Sequence, residues 1–219
     1  RTGKFWAIEH WNVKPDMLCI AKALSGGFVP VGAVAMTQQI MDSVFNRMDR
    51  AVVHGSTFSK NNMAMAAGLA SLEVIKNENL VERSAAIGTE IINRINALVG
   101  QYEFLKGARG KGSMIAVEFK SPDSLKLKAA WMMLEAANKG LFCQMITIPL
   151  FKEHRILTQV AGHGMNVVKL LPPLILTQRD VDHVIDAITQ TIDDTHQVPG
   201  SIWELGKNLA SHALKAKAG

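Results

Sequence analysis

Short apolar runs alternate with longer amphipathic stretches along this chain, and the alternation predicts strands mixed with helices. Met17-Leu18-Cys19-Ile20-Ala21 is a continuous apolar run whose length suits a buried strand. Val31 to Met36 predicts a second strand, leading into a helix over about Thr37 to Asn46 with Thr37 as its N-cap. Ala51 to His54 predicts a short strand, and Gly55-Ser56-Thr57 a turn. From Asn62 to Lys76, the residues Met65, Ala66, Leu69, Leu72 and Ile75 fall on one helical face. The small residues Ala64, Ala66, Ala67, Gly68 and Ala70 leave room for a close neighbour. Asn77 to Asn79 punctuates that helix. A second one follows over about Leu80 to Val99, with Ile87, Ile91, Ile95 and Leu98 in register and Gly100 as its stop.

From Tyr102 the pattern changes. Apolar runs at Met114 to Phe119, Phe142 to Ile148 and Val167 to Leu171 predict strands, alternating with helices at about Lys126 to Lys139 and Arg179 to Thr191. That mixture predicts an α+β module. Thr158 to Asn166 reads as a polar, glycine-rich loop and His196 to Ser201 as a linker. A last helix over Ile202 to Lys215 carries Lys207 and Lys215, with Lys217 just beyond; it reads as a solvated terminal helix.

With 48% apolar and 20% charged residues, the composition is that of a globular chain. The 24 basic against 19 acidic residues leave only +5, spread along the chain, and aromatics are 6%, so a nucleic-acid stripe is not expected. No stretch approaches the length of a membrane span. Cys19 and Cys143 sit in apolar runs without metal or redox spacing, and read as buried reduced thiols of a cytoplasmic protein. The seven histidines are scattered, so no metal site is expected; His10, His54 and His163 read as structural, with a place near the site as the alternative.

Lys22 is the residue with chemistry to offer. It closes the Met17–Ala21 run, and Ser25-Gly26-Gly27 then lets the backbone turn. A desolvated amine loses its charge more readily and becomes a nucleophile toward carbonyl carbon. The alternative is a strand-end lysine with a buried stem and a head in water.

The segments Arg1-Thr2-Gly3-Lys4-Phe5-Trp6-Ala7, Glu9-His10, Pro15-Asp16, Ala21-Lys22-Ala23-Leu24-Ser25-Gly26-Gly27 and Pro30-Val31-Gly32-Ala33 together resemble the class III aminotransferases. So do His54-Gly55-Ser56-Thr57-Phe58 and Lys169-Leu170-Leu171-Pro172-Pro173-Leu174. The resemblance covers nearly the whole chain in order. It implies the α/β type I fold of pyridoxal-phosphate (PLP) enzymes. Residues 1–79 would be the C-terminal part of the cofactor-binding large domain, and 80–219 the small domain with its connecting helix. It implies that Lys22 holds pyridoxal 5'-phosphate as a Schiff base and shuttles a proton once displaced. It also implies a homodimer with active sites at the subunit interface, acting on an amino donor and a carbonyl acceptor. In the family a preceding segment carries the glycine-rich phosphate loop, a stacking aromatic and the aspartate paired with the pyridine nitrogen. The chain opens on Arg1 in mid-motif, which leads us to read it as the C-terminal half of an enzyme.

Thr57 matches the threonine that binds the cofactor phosphate of the neighbouring subunit, with Ser56 as a secondary candidate; the alternative is an N-cap for the Asn62 helix. The family often has glycine and proline shortly after this threonine, whereas Ser59-Lys60-Asn61-Asn62-Met63 follows here. Lys169 stands where many members carry an arginine for a substrate α-carboxylate. A lysine cannot make the planar two-point clamp, so Lys169 suggests an aldehyde or ketone acceptor; alternatively it is a strand residue facing water. The chain's ending is similar to those of aminotransferases of prodigiosin-type pigment assembly, which act on long-chain keto-aldehydes. Arg109-Gly110-Lys111-Gly112-Ser113 fails the phosphate-loop spacing and reads as a turn into the Met114 strand. Aminomutases acting on glutamate semialdehyde and some decarboxylases share the framework, and a non-catalytic fragment remains a further alternative.

Overall fold

The computed structural model describes the backbone of residues 1–218 and the side chains of residues 1–216, so the side chain of Lys217 lies outside the described ones. The chain divides into two compact units, Phe5–Val81 and a larger one made of Arg1–Lys4 with residues 82–218.

In the Phe5–Val81 unit, β1 (Met17–Ile20) pairs antiparallel with β2 (Ala33–Met36), Met17 opposite Met36 and Ile20 opposite Ala33. A 3-10 turn at Ala23–Ser25 follows β1, and α1 (Gln38–Val44) and α2 (Asn62–Asn77) complete the regular structure with two further 3-10 turns. The burial expected of the Met17–Ala21 run is absent. Met17 and Cys19 are exposed and Leu18 and Ile20 half-buried, because β1 has a single partner strand, which is itself exposed but for the half-buried Met36. No strand forms at 51–54, where Val52 is 89% exposed and has no ladder to join.

Helix α2 also turns a different face inward from the one its largest apolar residues mark. Ala64 and Gly68 are buried, with Ala67, Ser71, Leu72 and Ile75 continuing that stripe, while Met65 and Leu69 face outward. Small residues decide the packing because they admit backbone. A Cβ at Gly68 would stand 3.8 Å from the Leu24 carbonyl oxygen, so the Ala23–Ser25 turn lies directly on the helix.

The larger unit is built on an antiparallel sheet in the order β3 (Leu105–Lys111), β4 (Met114–Phe119), β6 (Val167–Leu170), β5 (Gln159–Val160). Ile115, Val117, Phe119, Val168 and Leu170 form its covered face. They share one core with α3 (Leu80–Asn96), α4 (Leu125–Ala137), α5 (Leu141–Lys152), α6 (Gln178–His196) and α7 (Ser201–Ala218). Side chains alternate across a strand, so Ala116, Glu118 and Lys169 lie on the opposite face.

The run predicted as a strand at Phe142–Ile148 is α5. Leu141, Phe142, Cys143, Met145, Ile146 and Leu150 are buried, and the narrow stripe of Gln144, Thr147, Ile148 and Phe151 that reaches toward water carries two apolar residues of its own. An apolar run without periodicity fits a buried strand or a buried helix equally, and here β4 and β5 already occupy both edges of β6. Helix α3 ends at Asn96, before Gly100, and His196 belongs to α6, so the linker shrinks to residues 197–200. The 158–166 loop contains β5. Arg109 and Lys111 are strand residues, which leaves Gly112-Ser113 as the hairpin turn.

Candidate active site

Lys22 is separated from the end of β1 by one residue, Ala21, and leads into the Ala23–Ser25 turn with φ 66° and ψ −97°. A side chain with a Cβ rarely adopts this region, and it costs on the order of 1–3 kcal/mol unless the surroundings hold it. Two anchors hold it here. Upstream is the β1–β2 ladder. Downstream, Ser25 is buried, its Oγ donating to the Val29 carbonyl and accepting the Val29 N–H at 3.2 Å, while the turn rests on α2. The amine is exposed and, among the described residues, meets neither carboxylate nor hydrogen-bond partner. The desolvated amine expected from the sequence is therefore not what this chain presents. Lys22 is set apart by backbone placement instead.

The Ser56–Asn61 segment resolves the alternative for Thr57. Asn61 is the N-cap of α2, its side chain accepting from the Ala64 N–H at 3.1 Å. Thr57 therefore does not cap the helix, and its hydroxyl is uncommitted among the described residues. Ser56 is more occupied. Its N–H donates to Ser59 Oγ at 2.7 Å, and the two hydroxyls are 3.3 Å apart. Lys60, in the segment that departs from the family pattern, takes a left-handed backbone at φ 58°. A cavity of about 410 Å³ brings Ser56, Ser59 and Lys60 to the Pro30-Val31-Gly32 segment; Lys22 and Thr57 do not line it.

Lys169 belongs to the larger unit. It is half-buried on the open face of the sheet, in a row that runs Arg109, Ala116, Lys169, Gln159 across four strands. On the same face Glu118 accepts from Arg109 at 2.7 Å and from Lys106 at 3.1 Å, and the Arg109 hydrogen bond holds its carboxyl below the ordinary glutamate range. Glu118 is thus committed to two other cations, and the Lys169 ammonium has no partner among the described residues.

Neither cysteine adds chemistry here. Burial, with a smaller contribution from Glu135, pushes the Cys143 thiol up to about 12, so it stays protonated. Cys19 is exposed rather than buried, because it points to the open side of β1. No helix is long and apolar enough to cross a membrane among the described residues. The Lys22 backbone and the Asn61 cap were the parts missed by sequence reasoning. Asn61-Asn62 before an apolar run was a readable cap signal, whereas nothing in residue type marks a lysine with positive φ.

The sequence profile of the class III aminotransferases matches residues 1–192. The chain is 35% identical to an ornithine aminotransferase from Exiguobacterium over 86% of its own length and 40% of that protein. It is 26% identical to the aminotransferase PigE from Serratia over 89% of its length and 26% of the relative. Its fold is similar to that of the ornithine aminotransferase from Toxoplasma gondii, with a TM-score of 0.72 and 28% identity over 90% of this chain and 40% of that one. That structure was found with partial occupancy of PLP at its active site. The chain thus spans well under half of each of these proteins. An uncommitted lysine after β1, an uncommitted threonine before α2 and a profile match from Arg1 into α6 lead to one assignment: this chain belongs to the class III aminotransferase family.

Proposed function

We propose that this chain is part of a PLP-dependent aminotransferase that moves an amino group from an amino donor to an aldehyde or ketone. The observation that carries this reading is Lys22, an exposed and unpaired primary amine on a strained turn. The donor set fits the cofactor. Lys22 Nζ suits its aldehyde carbon, and the Thr57 hydroxyl, supported by Ser56, suits its phosphate. When bound, the cofactor supplies the electron sink that amino transfer needs. Lys22 Nζ anchors it at rest and, once released, carries the proton between two carbons. The β1–β2 ladder and the Ser25 clamp keep that amine in place while it changes partner.

On this reading residues 1–79 are the C-terminal part of the cofactor-binding domain and 80–219 the small domain. Thr57 and Ser56 serve the active site of a partner subunit in a homodimer. Two free cysteines fit a cytoplasmic setting. Lys169, free of the Glu118 pairs, cannot clamp a carboxylate at two points, which supports an aldehyde or ketone acceptor over a 2-oxoacid.

Adding PLP to the chain, reducing with borohydride and mapping the modified peptide tests the assignment. The label is expected on Lys22, with total labelling falling severalfold in Lys22→Ala. Labelling scattered evenly over the other lysines and indifferent to that substitution would overturn it. In the longer parent enzyme, an acceptor profile dominated by 2-oxoacids would remove the reading of Lys169 while leaving that of Lys22 intact.

A further inference from the structure

A second cavity, of about 330 Å³, lies within the larger unit, on the helix-covered side of the sheet. Ile91 and Leu170, both buried, form its floor, and Pro172, Leu176 and Val184 its sides. Leu170 and Lys169 point to opposite faces of β6, so the row that holds Lys169 does not reach this cavity. Its size falls at the small end of the range of roughly 300–1,000 Å³ typical of small-molecule pockets, and its walls are mostly hydrocarbon, as such pockets require.

The polar groups at its edge are unequal. Thr158 Oγ1 donates to the Lys169 carbonyl. His183 Nε2 lies 2.9 Å from the His154 carbonyl oxygen. The Asp180 carboxylate accepts from the Thr177 N–H at 2.8 Å and its hydroxyl at 2.7 Å, which closes the capping box of α6. Arg155 alone among these lining groups keeps its charged donors unspent. It is exposed at the open side of the cavity, its backbone is held at φ 61°, and its guanidinium forms no hydrogen bond or ion pair among the described residues.

We propose that this cavity binds a small amphipathic acid, its hydrocarbon body over Ile91, Leu170 and Val184 and its carboxylate on Arg155. A planar guanidinium with five free donors suits a two-oxygen anion, and an apolar floor favours a chain over a second charge. Asp180 opposes this only in part, because its Oδ2 is turned into the α6 cap.

Titration of the 219-residue chain with octanoate, followed by backbone amide shifts, tests the proposal, with octanol as the uncharged counterpart. Saturable shifts are expected at residues 155–158 and 183–184. Arg155→Gln is expected to weaken octanoate about tenfold and to leave octanol unchanged, as loss of one charge-assisted contact predicts. Leu171→Trp, at a wall position already 46% exposed and so tolerant of substitution, is expected to block both probes by filling the space. The proposal is overturned if octanoate gives no saturable shifts at these residues. It is equally overturned if Arg155→Gln binds octanoate as the parent does, or if Leu171→Trp changes nothing.

Discussion

Lys22 and Glu118 show how differently two charged residues are governed by their surroundings. Lys22 is defined by its backbone, which no residue type announces; its identity was legible through the motif around it, and its geometry was not. For Thr57 the position of the Asn61 cap removes the N-cap reading, which residue type alone left open. Glu118 is defined by its partners. Because Arg109, then Lys106, lower its folded pKa, its contribution to stability is complete above the unfolded glutamate value of about 4.3. It is lost as pH falls through the lower folded value. Both cations are well exposed, so solvent screening limits the pair to about 1 kcal/mol. Urea unfolding of Glu118→Gln is expected to show that loss at pH 7 and to converge on the parent only once the pH has fallen below the lowered folded value. A gap that persists unchanged at low pH would assign the effect to packing.

At the scale of elements, periodicity located α2, α3, α4 and α6 to within a few residues, because each has one wet face. It failed at α5, whose wet stripe includes the apolar Ile148 and Phe151 and so hides the period, and on α2 it marked Met65 and Leu69, which face outward, beside Leu72 and Ile75, which are half-buried. Close approaches are the other thing a pattern cannot show. Gly88, inside α3, meets the β3–β4 turn: a Cβ there would stand 1.8 Å from the Gly112 carbonyl oxygen. Replacing a helical glycine by alanine ordinarily gains about 1 kcal/mol. Here backbone would have to separate from backbone, so Gly88→Ala is expected to cost more than about 2 kcal/mol in equilibrium unfolding. A neutral or stabilising result would show that the hairpin can move away from the helix. The docking of Arg1–Lys4 on this same turn, through the Ser113 N–H to the Arg1 carbonyl at 2.8 Å, was equally invisible in the pattern of residue types.

Over the whole molecule the two units differ in how much they enclose. The larger has one continuous core from Ile87 through Trp203. The smaller leaves Phe28 88%, Met48 92% and Phe58 82% exposed, so it has few buried contacts with which to resist opening. Its class was legible in the motifs, but how little of it would be enclosed was not, since burial depends on what packs where rather than on composition. That asymmetry also sorts the two thiols, one in each unit. A disulfide reagent added to the native chain is expected to consume one equivalent at Cys19 promptly, and the second only when the larger unit opens in denaturant. Rapid consumption of both would mean that α5 is accessible in the native state. The protein thus comes with its own bookkeeping: a dye placed on Cys19, three residues before Lys22, can report from beside the lysine proposed to hold the cofactor without any engineered cysteine, while Cys143 stays silent until the core has come apart.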